Sequence, residues 1–178
     1  MKRLLFVLAS ALLAFFFTTS AAQAAIVTTV DLSNAPSGAH FANRSAQPAC
    51  TVTGTTVSCN SYSIGGVGNT NADLLLTADY SAIVDCFNPG TNRNNPIESH
   101  ETSFTESQEA TLTPNRNGQL NVGARSVSPG GAELDDATTC PNANWDARIR
   151  GGSLTLDSFT YSLTFAGFDD PAVLITGP

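Results

Sequence analysis

Leu74, Leu76, Ala78, Tyr80, Ala82, Val84 and Cys86 occupy every second position of the segment Asp73–Phe87, and Asp73, Thr77, Asp79, Ser81 and Asp85 lie between them. A helix cannot collect that row on one side. An extended strand can, because its side chains leave alternately toward opposite faces. One face of the strand therefore packs on a core and the other meets water, the pattern of a half-buried antiparallel sheet rather than of a parallel sheet buried on both sides. Cys86 ends the buried row, so any bridge it makes lies in or beside the core.

The rest of the chain extends the same theme. Ile26–Leu32 is β-branched and reads as a first strand. Gly65-Gly66-Val67-Gly68-Asn69-Thr70-Asn71 is a loop before the long strand, and strands resume at Glu98–Phe104. Ala110–Pro114 and Gln119–Arg125 flank the turn residues Asn115–Gly118 and read as a hairpin with Leu120, Val122 and Ala124 on one face. Trp145–Arg150, Ser153–Phe168 and Ala172–Thr176 follow, and a change of phase between Leu156 and Phe159 predicts a bulge at Asp157-Ser158. No segment carries a helical stripe. Roughly seven to nine short strands with turns between them predict an all-β fold, an antiparallel two-sheet sandwich of immunoglobulin-like type, with a closed β-barrel as the alternative.

The N-terminus addresses the chain. Met1-Lys2-Arg3 is basic, Leu4–Phe17 is apolar apart from Ser10, and Ala22-Gln23-Ala24 places small residues at −3 and −1 of a cleavage site. Residues 1–24 are thus an expected signal peptide and residues 25–178 one exported domain, secreted or periplasmic, with no later span. Cleavage takes Lys2 and Arg3 away and moves the net charge from −7 to −9. The six remaining basic residues, Arg44, Arg93, Arg116, Arg125, Arg148 and Arg150, are scattered singly, which argues against nucleic acid and anionic membrane surfaces as partners.

An exported chain with four cysteines, Cys50, Cys59, Cys86 and Cys140, predicts two disulfides. In Cys50-Thr-Val-Thr-Gly-Thr-Thr-Val-Ser-Cys59 the pair Gly54-Thr55 suits a two-residue turn with glycine first. Counting outward from it sets Cys50 opposite Cys59 on a non-hydrogen-bonded pair, within bridging reach. Cys86 then bonds Cys140. The spacing lacks the close Cys pairs of a zinc site. The motifs Val84-Asp-Cys86-Phe-Asn88 and Cys140-Pro-Asn-x-Asn-Trp145, with the terminal strand, resemble small secreted bacterial β-domains over about the last hundred residues. That resemblance implies export, two bridges and a sandwich, and no activity.

Chemistry-bearing residues are few. A nucleophile–histidine catalyst needs a histidine held by a carboxylate, and only His40 and His100 are present. In Glu98-Ser-His100-Glu101 alternation sends Glu98 and His100 to one face and Ser99 and Glu101 to the other, so no local triad forms. Carboxylates for glycoside cleavage are available at Asp135-Asp136, Asp169-Asp170 and among Glu98, Glu101, Glu106 and Glu109, and either Asp pair could instead help bind Ca²⁺, but adjacent acids before Pro171 read first as turn residues and no EF-hand loop is present. Gly65-Gly66-x-Gly68 lacks the Lys-Ser/Thr of a phosphate loop. Trp145, Phe159, Tyr161, Phe165 and Phe168 suit a sugar-stacking platform or, more simply, a core. Asn43-Arg44-Ser45 is a glycosylation sequon. No residue is assigned to catalysis, cofactor or metal. The expectation is a non-enzymatic binding or structural domain for an extracellular protein or glycan, the alternative a secreted hydrolase using His100 or a loop carboxylate pair. The lysine-free terminal strands Ile26–Leu32 and Ala172–Thr176 offer a route to self-association through sheet edges.

Overall fold

The computed structural model describes residues 25–42, 45–90, 95–130 and 138–178. The expected signal peptide, 1–24, lies outside them, as do Asn43-Arg44 of the sequon and Asp135-Asp136. Among the described residues the strands are β1 (Val27–Val30), β2 (His40–Phe41), β3 (Cys50–Thr53), β4 (Thr56–Cys59), β5 (Tyr62–Gly65), β6 (Ala72–Phe87), β7 (Glu98–Leu112), β8 (Leu120–Val122), β9 (Arg125–Val127), β10 (Asp146–Ile149), β11 (Thr155–Phe165) and β12 (Val173–Gly177). Among the described residues the helical element is a single 3₁₀ turn, Leu32–Asn34, capped by the Asp31 carboxylate, which accepts from the Ser33 N–H at 2.9 Å, so the first strand stops at Val30 rather than at Leu32.

The strands make three antiparallel sheets, and none closes into a barrel. The main sheet runs β1-β12-β11-β6-β10 with β7 on the other side of β6; two smaller sheets run β2-β5-β8 and β3-β4-β9. The twelve segments exceed the seven to nine expected because the chain breaks long strands where it turns corners. The pairs Val57↔Val127, Ile64↔Leu120 and Ala72↔Leu112 all keep a single register. Residues 57–87 and 98–127 are therefore one long two-stranded ribbon that passes through all three sheets.

This overturns the hairpin expected across 110–125. Asn115–Gly118 does turn, with the Asn115 side chain accepting from the backbone N–H groups of Asn117 and Gln119 at 2.9 and 3.1 Å. Yet Leu112 pairs with Ala72 in the main sheet, while Leu120 pairs with Ile64 in another. The turn is a corner of the ribbon, and the glycine-rich loop is the matching corner: the Val67 N–H donates to the Gly118 carbonyl at 3.0 Å. Gly66 holds φ +76° there, and a Cβ on it would run into the Gly38 carbonyl. Gly65-Gly66-x-Gly68 thus owes its composition to backbone packing.

The long strand behaves as its alternation requires. Leu74, Leu76, Ala78, Tyr80, Ala82, Val84 and Cys86 are all buried, and the bulge falls at Asp157, between the pairs Leu156↔Tyr80 and Ser158↔Asp79. One apolar cluster draws Leu76 and Tyr80 of β6, Phe159, Tyr161 and Phe165 of β11, Ile175 of β12 and Val57, Ile64 and Leu120 of the smaller sheets together. Each such buried side chain contributes roughly 1.5–3 kcal/mol relative to exposure. Phe159, Tyr161 and Phe165 are core, so a sugar platform built on them is excluded; Trp145 and Phe168 are half-buried. Leu120 and Val122 are buried as expected, whereas Ala124 is exposed because it sits on the step from β8 to β9.

Both bridges are present: Cys50–Cys59 with Cα atoms 4.0 Å apart, on the pair reached by counting from a turn whose Gly54 has φ +61°, and Cys86–Cys140 at 5.8 Å. No helix among the described residues is long and apolar enough to cross a membrane.

Candidate functional site

The main sheet's outward face is a lattice of acids and hydroxyls. Asp73, Asp79 and Asp85 project from β6 at every sixth residue, and the hydroxyls of Thr111, Thr105 and Ser99 on β7 donate to them at 2.8, 2.7 and 2.7 Å. The Ser158 hydroxyl also donates to Asp79, and Arg150 grips Asp85 through Nε and Nη2 at 3.2 and 2.7 Å. The hydrogen bonds from Arg150 and Ser99 hold the Asp85 carboxyl below its ordinary range, and the same contact raises Arg150. These carboxylates are already occupied by donors of their own sheet, which makes them sheet-stabilising groups rather than catalytic acids.

The opposite face of β7 points the way β6 buries. Register places Glu98 across from Cys86, His100 across from Val84, Phe104 across from Tyr80 and Glu106 across from Ala78. Glu98 and His100 share a face, as alternation requires, and Ser99 bonds Asp85 on the other side. The His100 Nδ1 is buried without a hydrogen-bond partner among the described residues. Along an extended strand Glu106 is roughly 20 Å from His100, so the two do not form a dyad. Glu101 and Glu109 lie on the outward face. His40 sits elsewhere, on β2, with its Nδ1 2.9 Å from the Gly38 carbonyl oxygen. Asp169-Asp170 is exposed in the turn before β12. Among the described residues, those named for hydrolysis are therefore not brought together; Asp135-Asp136 lies outside them.

The phenols are more confined. Tyr161 Oη donates to Tyr62 Oη at 3.0 Å inside the core, and burial pushes both phenols above their ordinary range. Tyr80, stacked on Phe104 at 5.4 Å, has a buried hydroxyl with no partner among the described residues and is pushed up to about 12, first by burial and then by the charge of Glu106.

A cleft of different character opens on the β2-β5-β8 sheet. It occupies about 620 Å³, and Tyr62 and Val122 line it together with Ser45, Ser61, Ser63, Gln119 and Asn121. The Ser63 hydroxyl donates to the Asn121 side-chain Oδ1 at 2.9 Å, and the Ser45 hydroxyl accepts from the Ser63 backbone N–H at 2.7 Å, which fixes the side chains along one wall. Among the described residues of the lining, Tyr62, whose hydroxyl points to Tyr161, is the one that ionises. Sequence reasoning passed over this group because Ser45, Ser63 and Asn121 are far apart in the chain and each reads as an ordinary turn or strand residue.

Compared with family models, with curated proteins and with solved structures, the chain gives no match in any of the three.

Proposed function

We propose that this chain is an exported, non-enzymatic binding domain, a sandwich of immunoglobulin-like type with the main sheet as one layer and the two smaller sheets as the other, and that it holds a neutral glycan in the cleft beside Asn121. The carrying observation is the lining: hydroxyls and amides whose bonds to one another set their directions, with no carboxylate or cation among its described residues to prefer a charged ligand. Such groups exchange hydrogen bonds with sugar hydroxyls. Export is supported by the basic, apolar and Ala-Gln-Ala parts of residues 1–24, and two disulfides are consistent with an oxidising compartment.

The test is a glycan array probed with the mature, oxidised domain. Binding to uncharged glycans is expected, lost on Asn121→Ala and flat from about pH 5 to 9, because no described lining residue titrates there. Binding that survives Asn121→Ala, or that selects only anionic glycans, refutes the cleft. Release of a cleaved product that disappears in His100→Ala would establish a hydrolase instead.

A further inference from the structure

Besides the short β10, which carries the charges of Asp146 and Arg148, the main sheet ends, among the described residues, on two very different strands. The free edge of β7 carries Glu98, Glu101, Glu106 and Glu109, in a domain already acidic, and like charge keeps another strand away. The other edge is β1, Val-Thr-Thr-Val, which carries no charge, proline or bulge, and all four of its residues are exposed. Ile26, Val27 and Val30, at 37, 56 and 39 % exposure, account for three of the four large exposed apolar residues among those described. The last strand, β12, is not an edge: it lies between β1 and β11, so only the N-terminal half of the expected edge pair is open.

The hydrogen-bond pattern says which groups are free. The Asp31 N–H donates to the Ala172 carbonyl at 2.9 Å, and antiparallel ladders alternate, so Val27, Thr29 and Asp31 turn their backbone groups toward β12. Ile26, Thr28 and Val30 turn theirs outward. Their side chains are also on one side, the core side, since Thr28 lies opposite the buried Ile175 and Val30 opposite the buried Val173.

We propose that this edge docks a second copy of the same chain, the two β1 strands pairing antiparallel about a two-fold axis through Thr28. A two-fold across an antiparallel pair requires opposed residues to share a face, which permits Thr28 opposite Thr28 and Ile26 opposite Val30. In this register every outward N–H and C=O of Ile26, Thr28 and Val30 meets its counterpart, and apolar Ile26 packs on apolar Val30 at both ends. The core-side row of the sheet then runs unbroken through both copies. Shifting the axis to Thr29 would set Val27 against Asp31, a poorer match. If cleavage follows Ala24, the new Ala25 ammonium faces Asp31 of the second copy, adding a charge pair at each end. The interface is short, below the roughly 1,200 Å² of a standard stable one, so the dimer is a weak one that forms at high concentration.

Sedimentation equilibrium on the mature, oxidised domain from roughly 10 µM to about 1 mM should show mass rising from one copy toward two, with Kd in the high-micromolar range. Over the same range amide exchange should slow at Ile26, Thr28 and Val30 and stay unchanged at Val27, Thr29 and Asp31. Thr28→Glu and Thr28→Lys, each placing like charges directly opposite, should each weaken the dimer at least tenfold, and mixing the two variants should restore it. A monomer at the highest concentration, protection at β7 instead of β1, or variants whose mixture associates no better than either alone would overturn the proposal. Circular dichroism of each variant reports whether it is folded, and the mixing result is read only between folded chains.

Discussion

All three tyrosines of the chain are buried, and that predicts how the domain meets alkali. A phenol ordinarily ionises near 10.0; in the folded domain Tyr80 is pushed up to about 12, and Tyr62 and Tyr161 are also raised. A group whose folded pKa lies above its unfolded one gives stability that is complete below the unfolded value and drains away as pH rises beyond it. Above pH 10.0 the unfolded chain has released up to three protons that the folded one still holds. Each costs about 1.4 kcal/mol of stability per pH unit, so the alkaline limb should fall by about 4 kcal/mol per unit. A domain of about 5 kcal/mol then unfolds little more than one unit above the ordinary phenol value. The assay is a spectrophotometric titration of phenolate absorbance run beside near-ultraviolet circular dichroism. No phenolate should appear near pH 10; all three tyrosines should ionise in one steep step that coincides with loss of tertiary signal. Gradual ionisation of even one tyrosine around pH 10, with the dichroism of the folded domain intact, would refute the reasoning.

Other outcomes follow from the same contacts. Replacing Cys86 and Cys140 together by Ala should cost about 4 kcal/mol and replacing Cys50 and Cys59 about 3, from loop closures spanning 54 and 9 residues; guanidinium unfolding checks that order. Gly66→Ala should destabilise by about 2 kcal/mol or more, since alanine there meets both a left-handed backbone and the Gly38 carbonyl, whereas Gly151→Ala, in open space, should stay within about 0.5 in the same measurement. His100→Ala should leave glycan binding in the array unchanged, because His100 is on the main sheet and lines no part of the cleft.

Several features of this protein are decided by local sequence. The buried row Leu74–Cys86, the bulge at Asp157 and the facing of Cys50 and Cys59 each depend on alternation or turn geometry within a few residues, and those forces act whatever the rest of the chain does. Once Cys50 and Cys59 face each other, Cys86–Cys140 follows by elimination. Partner choice is another matter. Asn115–Gly118 announces a turn, but not that Leu112 and Leu120 go to different sheets; that outcome is set by burying Ala72, Ile64, Leu120 and Val57 in one cluster, a gain that exists only when the whole ribbon has folded over its glycine corners. In the same way, two β-prone termini look equally open in sequence, and only packing puts β12 inside the sheet and leaves β1 at its edge. The cleft beside Asn121 was invisible for the same reason: its walls come from strands distant in the chain, and no local force announces residues that meet only through tertiary structure.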